Sequence, residues 1–409
     1  MRIEARGRSY GWVASLGMLL LAGAAGAQGL PTTMQQAEQL DHADELPMTS
    51  FYAMPAHWRR TRPGALLRQE TFSGYSLPAG TTAVRILYHS VDGAGRGVVT
   101  SGVVLLPAGK APAGGWPVIA WAHGTSGVAR ACAPSLMKDV YYGNEGLSAM
   151  LRAGYAIVAT DYHGLGTEGA HQYLDLDAQA RDVIYSVPAA QRAVPSLGAR
   201  WVVDGHSQGG ATAWRVAALE SSIDDPHYLG AVSVSGSASM RDLIEHMDHS
   251  QGGQFYLMYI AFGLHARYPQ FEPADILTPR ALAGYPATTT QGCWYIGYFL
   301  YSKGPHDSML RPGWQKNPWV RRFLRQAREG AQRLSQPILV LAGEADRTVP
   351  IAGERRVAAR ACRVGSRVEF KAYPGLDHDP TMVKSVPDQL HWIGDRFAGK
   401  TAVSNCTSR

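Results

Sequence analysis

The sequence predicts an α/β protein in which a mostly parallel central sheet is flanked by helices and carries an inserted, mainly helical cap. Three observations support this fold class. Short apolar runs alternate with stretches of helical spacing, which is the pattern of βαβ units around a buried parallel sheet. A Gly-x-Ser-x-Gly pentapeptide at residues 205–209 follows one apolar run and precedes one helical stretch. The alternation stops between residues 236 and 336, where aromatic residues and methionines are frequent.

The first 27 residues have the pattern of a signal peptide. Three arginines precede a short apolar stretch, Gly11 to Ala25, and Ala25-Gly26-Ala27 is a cleavage signal of the A-x-A type. The mature chain is expected to begin near Gln28 and to be secreted or periplasmic. A membrane anchor is the alternative, but the apolar stretch is short and polar sequence follows it. No other span of about twenty apolar residues occurs, so no transmembrane segment is expected in the mature chain.

Residues 28–75 are predicted to be an N-terminal lead segment. The segment is rich in proline, glutamine and aromatic residues. Residues 51–55 and 62–68 are therefore expected to be irregular structure that lies on the main domain.

Residues 76–235 and 337–409 are predicted to form the α/β core. Two runs of alternating hydrophobicity, residues 83–90 and 98–106, flank a turn signal at residues 92–95 and predict an antiparallel hairpin. The other apolar runs predict strands at residues 118–122, 155–160, 201–203, 229–234, 337–343 and 367–373. Helical spacing predicts helices at residues 147–153, 175–194, 210–219, 352–361 and 385–397.

Residues 236–336 are predicted to be the inserted helical cap, or lid. Its aromatic stretches, residues 255–262 and 294–301, are expected to bury against each other and the main domain, or to wall an acyl or alcohol pocket. Its last helix is expected to have Asn317 as N-cap and Pro318 as first residue. Transient contact with a lipid interface is expected through this cap.

Composition argues against nucleic acid as a partner. The precursor has a formal net charge of +6, and removal of the signal peptide takes away three arginines and one glutamate, which leaves about +4. No dense block of lysine and arginine occurs in the chain. This mild positive excess indicates solubility and weak attraction to anionic surfaces.

Four cysteines, Cys132, Cys293, Cys362 and Cys406, lie in the exported part of the chain. An even number of cysteines in an oxidising compartment predicts two disulfides, for which three pairings exist. No Cys-x-x-Cys spacing occurs, so the cysteines do not indicate a zinc site. No metal or organic cofactor is implied by the sequence.

Ser207, at the centre of the pentapeptide, is the candidate nucleophile. A strand, a sharp turn and a helix in this order are the setting in which the motif marks a nucleophilic serine. Glycines at positions 205, 209 and 210 leave room for such a turn. A chance match in a glycine-rich chain is the alternative, but the correct flanks on both sides favour the catalytic interpretation.

A serine hydroxyl needs a base to accept its proton, and the base needs an acid that orients it. Both are expected on loops after the last strands, in the chain order Ser, acid, His. Asp346 is the predicted acid, and Glu344 on the same loop is its rival. His378 is the predicted base, because it lies in a glycine-containing loop directly after the final strand.

The negative oxygen of a tetrahedral intermediate needs hydrogen-bond donors that are already in place. One predicted donor is the backbone N–H of Gln208. The second is the N–H of Thr125, with help from its hydroxyl, in the loop after the strand at residues 118–122. A plain glycine-rich turn is the alternative. His123 is expected to be structural, and residues 161–166 are expected to line the site or to hold this loop.

Motifs spread over most of the mature chain occur together in one known family. They are Phe51-Tyr52, residues 63–68, His123-Gly124-Thr125, Cys132-Ala133-Pro134-Ser135, Gly164-Leu165-Gly166, His171-Gln172-Tyr173-Leu174, residues 205–209, residues 343–350 and His378. With them the sequence resembles the secretory lipase family of the α/β-hydrolase superfamily, the family of the fungal lipases of the Candida lipase A type. The pentapeptide is common to the superfamily, whereas the Cys-Ala-Pro-Ser and Gly-Leu-Gly elements are more specific. The cap is the least matched part.

The resemblance implies a serine ester hydrolase with Ser207, Asp346 and His378 as its catalytic triad. It also implies disulfides that pair Cys132 with Cys293 and Cys362 with Cys406. The expected substrate is a small-molecule or lipid ester, cleaved through an acyl-enzyme by a lipase or carboxylesterase. Esters of plant polymers, aromatic esters and peptides are alternative substrates. A catalytically inactive binding protein of the same fold is the remaining alternative, against which the intact order of Ser, Asp and His argues.

Overall fold

The structure, a computed structural model, describes residues 29–406 except residues 237–238, 251, 304–306 and 327–328. The predicted signal peptide, residues 1–27, lies outside the described residues. From Pro31 onward the chain forms one compact unit. No helix within the described ranges has the length and apolar character that a membrane crossing requires.

Nine strands of the described chain form one sheet. They are β1 (Leu66–Phe72), β2 (Thr82–Val91), β3 (Gly97–Leu106), β4 (Trp116–Ala122), β5 (Ala156–Thr160), β6 (Leu197–His206), β7 (Tyr228–Val234), β8 (Ile338–Gly343) and β9 (Val368–Tyr373). Their order in the sheet is β1-β2-β3-β5-β4-β6-β7-β8-β9. The joins from β1 to β5 are antiparallel, and all the joins from β5 to β9 are parallel. The mostly parallel sheet that the alternation predicts is therefore present, and so is the predicted hairpin, as β2 and β3.

One strand was not expected from the sequence. The interpretation of residues 62–68 as irregular structure is wrong from Leu66 onward, because β1 begins there and pairs with β2. Every residue of β1 is exposed or half-exposed. The strand therefore lacks the buried apolar run that identifies the inner strands. Its conformation depends on pairing with β2, and the local sequence does not display that partner.

Eleven helices surround the sheet in the described ranges. They are α1 (Met34–His42), α2 (Ser148–Arg152), α3 (Leu176–Ala193), α4 (Gln208–Ile223), α5 (Met240–His249), α6 (Tyr256–Arg267), α7 (Pro279–Pro286), α8 (Trp294–Tyr301), α9 (Pro318–Gln326), α10 (Ile351–Arg363) and α11 (His378–Phe397). Helices α5 to α9 lie in the segment for which the cap is predicted. The division of the chain into core and cap stays a prediction.

The two faces of the sheet carry separate apolar cores. Along β4, Ala120 packs with residues of α3, α4 and α10, whereas Trp121 packs with residues of α2 and α11. This follows from the alternation of side chains along a strand. A third apolar core lies mainly in residues 236–336, the segment predicted to be the cap, and also includes Tyr173 and Val349 from the predicted α/β core.

The last helix of the cap begins as predicted. The Oδ1 of Asn317 accepts hydrogen bonds from the N–H groups of Trp319 at 2.9 Å and Val320 at 3.3 Å, so it caps α9. Val320 and Phe323 are buried on one face of this helix. Ala327 and Arg328, which the sequence assigns to the same helix, lie outside the described residues.

The two disulfides have the pairing that the family resemblance implies. Cys132 is bonded to Cys293, and Cys362 is bonded to Cys406. The first bond joins the segment that follows β4 to the start of α8. The second joins the end of α10 to the C-terminal segment.

Candidate active site

Ser207 lies on the sharp turn between β6 and α4. Its backbone has φ 57° and ψ −120°, a region that residues with a side chain rarely adopt. The N–H of Ser207 donates to the carbonyl oxygen of Val234 on the neighbouring strand at 2.9 Å. The turn is therefore held in a strained conformation that lifts the serine hydroxyl above the carboxyl edge of the sheet, as the nucleophile interpretation requires.

The glycine at position 209 allows the turn to lie against the loop after β4. A Cβ at Gly209 would overlap the carbonyl oxygen of Ala122 and would lie 2.8 Å from that of His123. No side chain fits there, so the pentapeptide needs glycine at this position for a steric reason. The same contact brings the predicted oxyanion loop next to Ser207.

His378 lies beside Ser207, with its Nε2 2.8 Å from the serine Oγ. Its place in the secondary structure differs from the prediction. It is the first residue of α11 and not a loop residue, with Asp377 as N-cap. The sequence predicted a later start at Ser385, but Pro380 lies in the first turn of the helix, where a missing N–H costs no intrahelical hydrogen bond.

Asp346 orients His378 from the loop after β8. Its Oδ2 lies 2.8 Å from the Nδ1 of His378, and its Oδ1 accepts hydrogen bonds from the N–H groups of Thr348 at 2.9 Å and Val349 at 2.8 Å. A proton on Nδ1 therefore bonds to Asp346 and leaves Nε2 free to accept the serine proton. The rival Glu344 points elsewhere, since it is exposed and pairs with Arg355 at 3.2 Å.

The charges around His378 favour its protonated form. Burial acts to lower the pKa of His378, but the negative charge and hydrogen bond of Asp346, with smaller contributions from Asp379 and Asp377, raise the pKa above its usual value. An imidazolium formed during the reaction is thus stabilised where it forms.

No sequence pattern indicated which residues pack behind His378. The ring of His206 lies 4.7 Å from the ring of His378, and the Nδ1 of His206 lies 2.8 Å from the hydroxyl of Tyr142. Burial lowers the pKa of His206 well below its usual value, so this neighbour stays neutral. A neutral ring supports His378 by contact without repelling its positive charge.

No metal is assigned to this cluster. His206, His378 and Asp379 bring ligand-type atoms within 4.8 Å of one another. Both ring nitrogens of His378, however, already face Asp346 and Ser207 at hydrogen-bond distance.

The two predicted oxyanion donors are the backbone N–H groups of Gln208 and Thr125. Gln208 is the first residue of α4, where a backbone N–H has no intrahelical partner. Within the described ranges, neither its N–H nor that of Thr125 donates a hydrogen bond to another residue. The carbonyl oxygen of Thr125 accepts from the hydroxyl of Tyr141 at 2.7 Å, and its Oγ1 lies 2.7 Å from the hydroxyl of Tyr173.

Buried polar residues support the loop around Thr125. Asp161 accepts from the N–H of Ser135 at 2.8 Å and from its hydroxyl at 2.5 Å, and so holds the Cys-Ala-Pro-Ser element. His123 is buried with both ring nitrogens near backbone carbonyl oxygens, and burial lowers its pKa to about 4. These contacts agree with the structural roles expected for both residues.

The aromatic stretches of the cap bury against each other. The ring of Phe255 lies 5.4 Å from that of Trp294, and the Nε1 of Trp294 donates to the hydroxyl of Tyr256 at 3.0 Å. The bond between Cys132 and Cys293 ends directly before Trp294. Mutual burial is therefore present, and contact of either stretch with substrate stays a prediction.

Comparison with known proteins identifies the family of the chain. The profile of the secretory lipase family matches residues 139–405, more than half of the chain. The secreted triacylglycerol lipase LIP7 of Malassezia globosa is 24% identical over 390 residues, 87% of this chain and 80% of the relative. The probable inactive lipase MT1628 of Mycobacterium tuberculosis is also 24% identical, over 93% of this chain and 89% of the relative.

A solved structure shows the same fold. Candida antarctica lipase A in its closed state has a TM-score of 0.75 at 16% identity and covers 88% of this chain and 89% of its own. The family and the fold expected from the sequence are thus confirmed. The chain belongs to the secretory lipase family and is a secreted carboxylic-ester hydrolase with the α/β-hydrolase fold.

Proposed function

We propose that Ser207, His378 and Asp346 are a catalytic triad that hydrolyses carboxylic esters through an acyl-enzyme. The observation that carries the proposal is the unbroken pair of 2.8 Å contacts from Ser207 Oγ to His378 and from His378 to Asp346. The strained backbone of Ser207 supports it independently, because strain of this kind persists where function requires it.

Acylation follows from these contacts. As Ser207 Oγ attacks the ester carbonyl carbon, its proton passes to Nε2 of His378, and Asp346 stabilises the imidazolium that forms. The carbonyl oxygen becomes negative and is held by the N–H groups of Thr125 and Gln208. Collapse of the tetrahedral intermediate breaks the bond to the alcohol, which leaves with the proton from Nε2.

Deacylation repeats the same steps with water. His378 removes a proton from a water molecule, the hydroxide attacks the acyl carbon, and the same donors hold the second oxyanion. Collapse returns the proton from Nε2 to Ser207 Oγ and releases the carboxylic acid. No step needs a metal or an organic cofactor.

The proposed substrates are lipid or other acyl esters. This choice rests on the family and on the apolar, aromatic cap that lies next to the site. The cap is proposed to wall the pocket and to touch a lipid interface transiently. A catalytically inactive protein is the opposing proposal, because one relative carries that description in its name, but all three triad residues are present here in hydrogen-bond contact.

The test is a series of p-nitrophenyl esters from acetyl to palmitoyl, run on the wild type, Ser207→Ala and Ser335→Ala. Ser335 is an exposed serine outside the site and serves as the matched control. Turnover should be lost in Ser207→Ala and kept in Ser335→Ala. Turnover that survives in Ser207→Ala, or an inactive wild type, would overturn the proposal. The acyl-length profile then separates a lipase from a short-chain esterase.

A further inference from the structure

The hydroxyl of Thr125 has one hydrogen-bond neighbour among the described residues, the hydroxyl of Tyr173 at 2.7 Å. Tyr173 comes from a different part of the chain, the His171-Gln172-Tyr173-Leu174 element. Its side chain is only 2% exposed, and within the described ranges its hydroxyl has no other partner. A buried phenol therefore meets a hydroxyl that lies at the proposed oxyanion hole.

The direction of this hydrogen bond follows from its chemistry. Burial raises the pKa of Tyr173, so the phenol keeps its proton. A buried donor without a partner is costly, and Thr125 Oγ1 is the acceptor within reach. Either hydroxyl can be the donor, but only donation from Tyr173 to Thr125 gives the buried phenol proton a partner; the proton of the Thr125 hydroxyl is then free to point away from Tyr173.

The other hydrogen bonds of Thr125 show which of its groups are available to a substrate. The carbonyl oxygen of Thr125 is engaged by Tyr141 at 2.7 Å, which leaves its N–H and its hydroxyl as the donors without an acceptor in the described chain. The loop lies against the turn that carries Ser207, as the close approach of Gly209 to Ala122 shows.

We propose that Tyr173 is a positioning residue that turns the Thr125 hydroxyl into a third oxyanion donor, beside the N–H groups of Thr125 and Gln208. This inference rests on the proposed function and extends it to how the oxyanion is held. A hydroxyl that accepts a hydrogen bond becomes a better donor, so Tyr173 also strengthens the bond that Thr125 gives.

The element that carries Tyr173 is fixed on both sides. The N–H of Tyr173 donates to the carbonyl oxygen of His171 at 2.9 Å, and the Nε2 of His171 lies 3.3 Å from the side-chain amide nitrogen of Gln208. The same turn therefore contacts both residues of the oxyanion hole. A Cβ at Gly263 of α6 would overlap the backbone of Tyr173, so α6 packs directly against this element.

The test is a double-mutant cycle in which kcat and KM are measured on a short p-nitrophenyl ester. Thr125→Val removes the hydroxyl and keeps shape and N–H, and should lower kcat about 10- to 100-fold with KM little changed, since one oxyanion donor is typically worth about 100- to 1,000-fold and two donors remain. Thr125→Ser should stay close to the wild type. Tyr173→Phe should lower kcat about 3- to 10-fold.

The decisive result is non-additivity. In the Thr125→Val background, Tyr173→Phe should have no further effect on kcat, because the donor that it positions is already absent. The inhibition constant of a boronic acid, which mimics the tetrahedral intermediate, should rise in proportion to the loss in kcat.

An unchanged kcat in Thr125→Val would overturn the inference, and so would a loss in Tyr173→Phe that is the same in both backgrounds. A lower melting temperature of Tyr173→Phe with unchanged kcat would also overturn it, since that is the signature of a merely structural tyrosine. Failure of the proposed function is distinguishable, because it appears as activity that does not depend on Ser207.

Discussion

The two sides of Ser207 are built by different means. On the acid–base side, each loop is held partly by close neighbours in the sequence: Asp346 accepts from residues two and three positions later, and Asp377 caps the helix that begins with His378. On the oxyanion side, Thr125 is held by Tyr141 and Tyr173, and the adjoining segment is bonded to Cys293 of the cap. On the oxyanion side a disulfide joins the segment predicted to be the cap to the segment that follows β4, whereas on the acid–base side the predicted cap contributes a noncovalent contact, with Nε2 of His246 2.6 Å from the carbonyl oxygen of Arg347.

Because of this difference, activity should respond differently to substitutions on the two sides. Changes on the acid–base side should act through the charge and orientation of His378. Changes on the oxyanion side should act through the placement of donors, and so should also follow from alterations in the adjoining segment that is predicted to be the cap. The predictions that follow test this contrast.

The largest effect is expected from Asp346→Asn on the acid–base side. The amide cannot hold the Nδ1 proton as the carboxylate does, so kcat should fall about 10,000-fold with little change in fold. Glu344→Gln, on the same loop but paired with Arg355, is the matched control and should keep its activity. Measurement of kcat for both variants decides between the two carboxylates, and a severe loss in Glu344→Gln would reverse the assignment.

The two disulfides allow a comparison between a bond near the oxyanion loop, Cys132–Cys293, and a bond far from it, Cys362–Cys406. Replacing either cysteine pair by serine should cost about 2–5 kcal/mol of unfolding free energy, because the unfolded chain gains freedom. Only the Cys132/Cys293 variant should also lower kcat, since that bond borders the oxyanion loop. Thermal melting and kcat at a temperature where both variants are folded provide the comparison, and equal kcat values would show that the cap does not support the hole.

The pH profile tests the charges on the acid–base side. His378 must be neutral to act as base, and its pKa is raised above the usual 6.5, so activity should fall as pH decreases through a value above 6.5. Asp379→Asn removes one of the charges that raise this pKa and should move the acid limb of kcat/KM to lower pH. An acid limb that stays in place would mean that Asp379 does not influence His378.

The smallest effect is expected from Arg347→Gln. Arg347 pairs with Asp377 at 2.6 Å and so bridges the two loops of the acid–base side, but its side chain is 88% exposed. Exposed ion pairs contribute about 0–1 kcal/mol, so the melting temperature and kcat should change little. A loss of kcat above about tenfold would show that the bridge positions His378 and would weaken the contrast between the two sides.

Much of the chemistry could be predicted from the sequence because its signals are local. The glycines around Ser207, the apolar runs of the inner strands and the order of Ser207, Asp346 and His378 each occupy a few neighbouring positions. The cysteine pairing came from the family resemblance, since the residues by themselves leave three pairings open. His378 could be singled out as the candidate base even though its helix was predicted to begin seven residues later, because the order of strands locates it independently of the helix boundary.

The features that depend on residues far apart in the chain became visible only in the tertiary structure. β1 is a strand because β2 lies beside it, and neither its apolar pattern nor its turns indicate that pairing. Tyr142 and Tyr173 reach the site through hydroxyl groups whose partners are 64 and 48 residues distant. The spacing of apolar residues in a sequence indicates which face of a helix or strand is buried. A hydrogen bond between two side chains that are far apart in the chain changes the spacing of apolar residues in neither segment. The sequence by itself therefore determined which residues are candidates for the nucleophile, the acid and the base, because those signals are local, and folding decided which distant side chains hold the candidate site together.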